Sequence, residues 1–338
     1  MNFIESSSFA EESVLIENRL PAMGRHRVIT TLLDGLTSSP RRISSMFFYD
    51  ATGSKLFEEI TRLPEYYPTR IEKRLLPRLA GGLRARLTDG DTIELGSGDC
   101  SKISILFDSL SVRELPSVSY VPVDVSQEAI EESASILSAR YPGIRIRGLV
   151  ADFMTQLHLV PNRRHRLFCF FGGTIGNLDR GKRKQFFQNL AASMHSEDLL
   201  ILGVDMVKPR RILERAYNDD RNVTAAFNRN ILNVVNSLAG TNFDPVAFDH
   251  VAFFNENDSR IEMHLRARYD VRVHCPHLPE PIQLSRGELI HTENSHKFTA
   301  GQITAETGAA GLRVEERSTD PQGWFSLVTL TGKAGNCL

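Results

Sequence analysis

The segment Glu94-Leu95-Gly96-Ser97-Gly98 closes an apolar run, DTIEL, with the length and composition of a β-strand. Glycines at this point let the backbone come close to a ligand at the carboxyl end of a strand, with Glu94 two residues before the first of them. The G-x-G lacks the third glycine of the dinucleotide fingerprint, since Asp99, Cys100 and Ser101 follow, which weighs against a nicotinamide enzyme. A second acid, Asp124, ends the next strand segment, YVPVDV, where a carboxylate can accept both hydroxyls of a ribose. A third, Asp152, is followed by Phe153, a combination suited to an adenine ring and its exocyclic amine. No P-loop or basic residue is placed to receive phosphates. Acids at successive strand ends beside a G-x-G fit S-adenosylmethionine better than a phosphate-bearing cofactor.

Three further segments could carry chemistry. Gly172-Gly173-Thr174-Ile175-Gly176 formally matches a hydrolase elbow with Thr as nucleophile, but no Asp and His follow in the expected context. It reads as a flexible turn that brings backbone and Asn177 to the reacting groups. The amide of Asn177 offers a donor and an acceptor, as an amino acid's ammonium and carboxylate require. His274-Cys275-Pro276-His277 has no established zinc spacing, so surface histidines are expected and no metal. In Glu288-Leu-Ile-His-Thr-Glu293-Asn-Ser295-His, strand alternation puts His291, Glu293 and Ser295 on one side. A carboxylate and a hydroxyl two residues apart can each take one nitrogen of an imidazole, although a solvated strand face is the simpler reading of these residues alone.

The elements that must position these groups follow from periodicity. From Asp91 to Val207 short apolar strands alternate with helices, which argues for a parallel sheet with right-handed crossovers. After Ser126, a suitable N-cap, Ile130, Ala134, Leu137 and Tyr141 form one helix face; Phe187, Leu190 and Met194 repeat this after Asp179. Beyond Val207 a helical stretch from Pro209 to Leu238, interrupted near 218–221, carries a stripe of Phe227, Ile231, Val234 and Leu238. The period then becomes two: Ile261, Met263, Leu265 and Ala267 share one side of a strand, opposite Glu262, His264, Arg266 and Arg268. This block reads as a second unit inserted before a last helix near 300–310 and two final strands complete the sheet. The first forty residues read as a partly ordered arm ending in a short helix.

Composition narrows the partners. In 338 residues, 41% hydrophobic and 24% charged, 40 Lys and Arg face 41 Asp and Glu for a net charge of −1. Without clustered positive charge, nucleic acid and anionic membrane are not expected partners. No apolar run has the ~18 residues of a membrane span, and no signal peptide is read at the N-terminus. Four scattered cysteines in a chain able to bury its own core point to a reduced, cytoplasmic protein. No apolar stripe is left over after the core is assigned, so a monomer is expected.

Together, FYDATGSKLFEEITRLPEYYPTR (Phe48 to Arg70), ELGSG, FGGTIGNL, AYNDDRNVTAAFNRN (Ala216 to Asn230), IEMHLRAR and TENSHKF resemble the L-histidine Nα-methyltransferases of ergothioneine biosynthesis. The resemblance runs from about Ser45 to Gly332, in motifs long and ordered enough to be highly specific. It implies an α/β fold: a Rossmann-like methyltransferase domain with a seven-stranded sheet (72–207 and 297–338), and an inserted α+β substrate-binding domain (24–71 and 208–296), after an arm at 1–23. It implies S-adenosylmethionine as methyl donor, S-adenosylhomocysteine as product, and three methylations of the histidine α-amine to hercynine. Gly96, Lys102, Asp124, Asp152, Phe153, Gly172 and the neighbourhood of Tyr49 would hold the cofactor, to which the strand-end reading adds Glu94 and Gly98. Tyr66, Asn177 and Tyr217 would meet the ammonium and carboxylate; Glu293 and Ser295 would meet the imidazole, with Met263 packing by the ring. The loop after ELGSG departs from the family, reading Asp99-Cys100-Ser101 where Thr-Ser-Glu is frequent.

Methyl transfer from a sulfonium is a direct displacement that asks the protein chiefly for orientation and desolvation. The amine must first lose a proton, to water or to a tyrosine, Tyr49 and Tyr66 being the candidates. Two other readings stand beside this one: a relative of the same fold methylating another aromatic amino acid such as tryptophan, and a cofactor-binding module without turnover.

Overall fold

The computed structural model describes residues 13–21, 25–162 and 165–332. In chain order the elements begin with β1 (Val14–Asn18), α1 (Arg25–Thr37), the two-residue β2 (Arg41–Arg42), α2 (Ala51–Thr61) and α3 (Tyr67–Thr88). Strands and helices then alternate: β3 (Asp91–Leu95), α4 (Ser101–Phe107), β4 (Ser119–Asp124), α5 (Gln127–Arg140), β5 (Arg145–Val150), β6 (Arg166–Phe170), α6 (Arg180–Ser193) and β7 (Leu199–Asp205). Next come α7 (Arg210–Arg215), α8 (Val223–Ala239), β8 (Phe248–Asn255), β9 (Arg260–Ala267), β10 (Val271–Val273), β11 (Ile282–Leu284) and β12 (Leu289–His296). The described chain closes with α9 (Ala300–Ala310), β13 (Leu312–Thr319) and β14 (Phe325–Gly332).

The main sheet has the order β1-β5-β4-β3-β6-β7-β14-β13. Its first six strands are parallel; β14 runs antiparallel to both β7 and β13. The strand order reverses at β3, with β4 on one side and β6 on the other, and ligands of open α/β sheets sit outside the carboxyl ends of strands at such a reversal. Alternate residues of β3, β4, β6 and β7 feed two apolar cores. Ile93, Val121, Phe168 and Leu200 pack with Phe186 and Phe187 of α6, while Leu167, Cys169 and Ile201 join the core that contains Leu75 and Leu79 of α3. Burial on both faces explains the near-continuous apolar runs of these strands.

A second sheet, β2-β12-β9-β8, stands beside α8. Ile261, Met263, Leu265 and Ala267 of β9 are all buried, as the period of two requires. The interruption ahead of α8 has a clear cause: Asn222 takes a left-handed conformation (φ 57°), and the Asp219 carboxylate accepts from the backbone N–H groups of Val223 (2.9 Å) and Thr224 (2.8 Å). These are orphan donors of a helix N-terminus.

The sheet carries one strand more than the seven expected, and it comes from the segment read as an arm. VLIEN forms β1 and pairs in parallel with β5, Val14 opposite Ile146 and Asn18 opposite Val150. A five-residue edge strand is too short for its alternation to stand out, and its partner lies far along the chain. The rest of the arm, 1–12 and 22–23, lies outside the described residues, as does Cys337; Cys100, Cys169 and Cys275 are free and buried. Among the described residues, no helix is long and apolar enough to cross a membrane.

Candidate active site

The turn after β3 places Gly96 (φ 69°) and Gly98 (φ 52°) in the left-handed region, which a side chain would strain. A Cβ on Gly96 would touch the ring of Phe153 at 3.8 Å, so the ends of β3 and β5 meet. Phe153 is held edge-on by Phe170 (5.4 Å) and Phe186 (6.1 Å). Asp152 caps its own turn, accepting from Met154 N–H (2.8 Å) and Thr155 Oγ1 (3.2 Å). The Asp124 carboxylate accepts from Ser126 N–H at 3.0 Å and from the Gly98 backbone; burial still pushes its pKa up. Glu94 lies within the strand and not in the exposed loop. Its carboxyl oxygen accepts from the Tyr120 hydroxyl at 2.5 Å, and burial pushes its pKa up to about 8.

Lys102 of α4 completes this side. Its ammonium lies 3.0 Å from Oε2 of Glu72, a fully buried residue of α3 whose carboxylate accepts twice from Gly172 N–H (3.0 and 2.9 Å). A Cβ on Gly172 would stand 2.9 Å from that ammonium. Only a glycine lets β6 end directly under Lys102.

The following turn reaches the second sheet. Thr174 donates its hydroxyl to the Phe171 carbonyl (2.9 Å), a local bond that leaves it no resemblance to a nucleophile. Gly176 lies against β12 so closely that a Cβ would meet the His296 carbonyl at 2.8 Å. This contact sets Asn177 beside Glu293, to which it donates through Nδ2 at 3.3 Å.

Glu293 and Ser295 share a face of β12 and both are buried, but His291 is not with them. A bulge falls between His291 and Glu293: His291 pairs with His264, and Glu293 with the next partner, Met263. Consecutive residues of β9 point to opposite faces, so His291 joins His264 (ring centroids 5.1 Å) and bonds Asn294 (2.8 Å) on the far side. The expectation of three residues on one side therefore fails for His291, because it assumed an unbroken strand. Met263, directly across from Glu293, is placed to wall the same space. Burial pushes the Glu293 carboxyl up to about 7.

Tyrosines join the two halves. Tyr66 is edge-on to Tyr217 (6.4 Å) and to Phe57 (6.3 Å). Tyr49 is edge-on to Phe57 and Phe227 and 45% exposed, yet it feels both Asp124 of the first half and Glu293 of the second. Desolvation and then carboxylate or tyrosine neighbours push Tyr49, Tyr66 and Tyr217 upward.

Behind Ser295 lies a cluster that periodicity does not reveal. Lys297 donates to Asp205 (2.8 Å), Ser295 (2.7 Å) and Tyr217 (3.2 Å). Lys208 bonds the other oxygen of Asp205 and donates to the Tyr67 hydroxyl (2.7 Å), and Tyr67 itself donates to Asp205 (2.9 Å). Burial lowers Lys208 to about 8; burial also opposes the charge on Asp205, but the two lysines outweigh it and hold its carboxyl low. The legible signals were Asp205 ending an apolar strand, and Lys297 continuing the Glu293, Ser295 alternation. Among the described residues, no group of three or more His, Cys, Asp and Glu could hold a metal ion.

Strand order, the antiparallel β14 between β7 and β13, and acids at the carboxyl ends of three neighbouring strands define a Rossmann-like, S-adenosylmethionine-dependent methyltransferase. Residues 28–332 match the family model described as "Histidine-specific methyltransferase, SAM-dependent", and the chain belongs to that family. It is 42% identical over 293 residues to the histidine N-alpha-methyltransferase of Mycolicibacterium smegmatis, covering 87% of this chain and 91% of that one. To the Mycobacterium tuberculosis protein of the same name it is 41% identical over 297 residues, with the same coverage. Ergothioneine biosynthesis protein 1 of Schizosaccharomyces pombe is 27% identical over 269 residues, covering 76% of this chain and 34% of that protein.

Proposed function

We propose that this protein transfers three methyl groups in succession from S-adenosylmethionine to the α-amine of free L-histidine, giving hercynine on the route to ergothioneine. The observation that carries the reading is the placement of Glu293 and Ser295 on one buried face of β12, with Met263 across the strand pair and Asn177 bonded to Glu293. A carboxylate and a hydroxyl so spaced suit the two nitrogens of one imidazole.

The donor fits the other half: positive-φ glycines, a lysine against Gly172 and acids at two strand ends form a cradle that extra Cβ atoms would fill. Gly96, Gly98, Lys102, Asp124, Asp152, Phe153 and Gly172 would hold S-adenosylmethionine, which would supply an activated methyl on a sulfonium with the neutral thioether S-adenosylhomocysteine as leaving group, a displacement that calls for no metal. Glu94 supports that loop from within the strand. Asn177 spends its Nδ2 on Glu293, which leaves its carbonyl oxygen for the substrate ammonium. Tyr66 and Tyr217, edge-on to each other, offer ring faces to an amine that becomes a quaternary cation. With their pKa values raised, Tyr49 and Tyr66 keep their protons and orient the amine, so the departing proton passes to water.

In this reading 24–71 and 208–296 grip the substrate, while 72–207 and 297–338 carry the methyl donor. Helix α3 runs through the join at 71 and 72, so the two parts are held in one frame. The test is mass spectrometry after incubation with S-adenosylmethionine and the twenty amino acids. Histidine plus three methyl groups is expected; methylation of tryptophan or tyrosine instead would overturn the substrate, and no product would overturn the reaction.

A further inference from the structure

The Lys297 side chain is fully buried, and three acceptors surround it: Asp205 Oδ2, Ser295 Oγ and Tyr217 Oη. An ammonium has three donors and no acceptor, so all three contacts run outward from it and both hydroxyl oxygens accept. Between those hydroxyls a further hydrogen bond runs from Tyr217 to Ser295 at 2.8 Å. The phenol is the stronger acid and the natural donor. Ser295 Oγ thus accepts two hydrogen bonds, which fills its lone pairs and leaves its own O–H as its one remaining function. Asp205 holds Lys297 in place, because its carboxylate is fixed in turn by Lys208 and Tyr67.

We infer that Lys297 is a positioning residue that makes Ser295 an obligate hydrogen-bond donor, so that the site selects one neutral tautomer of the imidazole, its N–H toward Glu293 and its lone pair toward Ser295. The inference rests on the histidine reading above and adds the polarity of the contact. Without Lys297, Ser295 is free to turn its proton toward Tyr217 or toward the ring. The site would then accept either tautomer, or an imidazolium with two N–H groups. Below about pH 8, where Lys208 is also protonated, two lysines on one carboxylate leave excess positive charge behind Ser295, which disfavours a cationic ring.

The test binds ring-15N-labelled histidine to the protein with S-adenosylhomocysteine in place of the donor, at pH 8, where the Glu293 carboxyl is mostly ionised. In the unaltered protein one pyrrole-type and one pyridine-type nitrogen are expected, from a single tautomer distinct from the mixture in free histidine. Lys297→Met leaves a balanced Asp205–Lys208 pair. It should weaken histidine binding ~10-fold and restore a tautomer mixture, while S-adenosylhomocysteine affinity stays within ~2-fold. Ser295→Ala should cost about as much, and the double variant little more than either, because both remove the same donor. Two pyrrole-type nitrogens or a free-histidine mixture in the unaltered protein would overturn the inference even if Lys297→Met does not fold, and so would additive losses in the double variant. Failure of the unaltered protein to bind histidine would overturn the substrate reading itself.

Discussion

Beneath the proposed cofactor loop two buried carboxyl groups, Glu72 and Glu94, both feel Lys102; behind the proposed substrate wall two buried lysines, Lys208 and Lys297, share Asp205. The excess is opposite in sign and is relieved differently. Glu94 keeps its proton at neutral pH and takes a hydrogen bond from Tyr120, whereas both lysines bond to Asp205 and to hydroxyls. The supports differ as well. Backbone groups of Gly98 and Gly172 hold Asp124 and Glu72 on the cofactor side, while the substrate side is tied together by side chains from four distant parts of the chain. A site held by backbone can keep one ligand as side chains vary around it. One held by side-chain hydrogen bonds places its specificity in a few replaceable atoms.

The sharpest way to break this division is Glu293→Ala. It leaves an imidazole N–H unpaired in a buried site, so kcat/KM for histidine should fall about 10³-fold, or ~4 kcal/mol, and larger apolar side chains should gain. Affinity for S-adenosylmethionine, measured by calorimetry, should move less than ~3-fold; comparable losses in both would show that the halves act as one. Lys102→Met probes the other side. It leaves Glu72 buried with only the one Gly172 N–H shared between its oxygens, so S-adenosylmethionine binding should weaken ~10²-fold and stability fall by ~3 kcal/mol, with the preference among amino acids unchanged.

How much of this is legible in the sequence divides along the same line. Gly96, Asp124 and Asp152 are readable because each is fixed by its place at the end of a local strand. Strand phase also put Glu293 and Ser295 on one face, since two residues apart is a local relation. It failed for His291 because a bulge is set by the partner strand. Asp205, Lys208, Tyr67 and Lys297 meet only when β7, the start of α3 and the end of β12 come together, and no spacing reports that. The edge strand β1 was hidden for the same reason, its partner β5 lying far along the chain.

Glu94→Gln sharpens the comparison through pH. Its folded-state value of about 8 lies above the ordinary 4.5, so as pH rises from about 4.5 to 8 the unfolded chain ionises while the native carboxyl holds its proton. The parent therefore loses stability across that window, and the glutamine variant, which can still accept from Tyr120, does not. Thermal melts should show the variant's advantage growing by about 3–4 kcal/mol from pH 5 to pH 8. A constant difference would place the ionised form in the fold. Gly176→Ala is smaller: the added Cβ meets the His296 carbonyl at 2.8 Å and must lift the turn from β12. Parting Asn177 from Glu293 should raise KM for histidine ~10-fold and leave S-adenosylmethionine affinity unchanged.

The smallest effect belongs to the tyrosines at the junction. If Tyr49 or Tyr66 took the amine proton as phenolate, its Phe variant would lose ~10² to 10⁴ in kcat and the pH-rate profile would lose a limb. Burial and the carboxylates around them push both phenols above 10, so over the working range neither is a titrating group whose loss could be seen. Tyr66→Phe and Tyr49→Phe should therefore keep the parent's pH-rate profile and lose no more than ~5-fold in kcat/KM, the value of one hydrogen bond to the amine. A vanished limb in either variant would move that tyrosine from shaping the substrate half to catalysis, and would make the junction, and neither side of it, the seat of the chemistry.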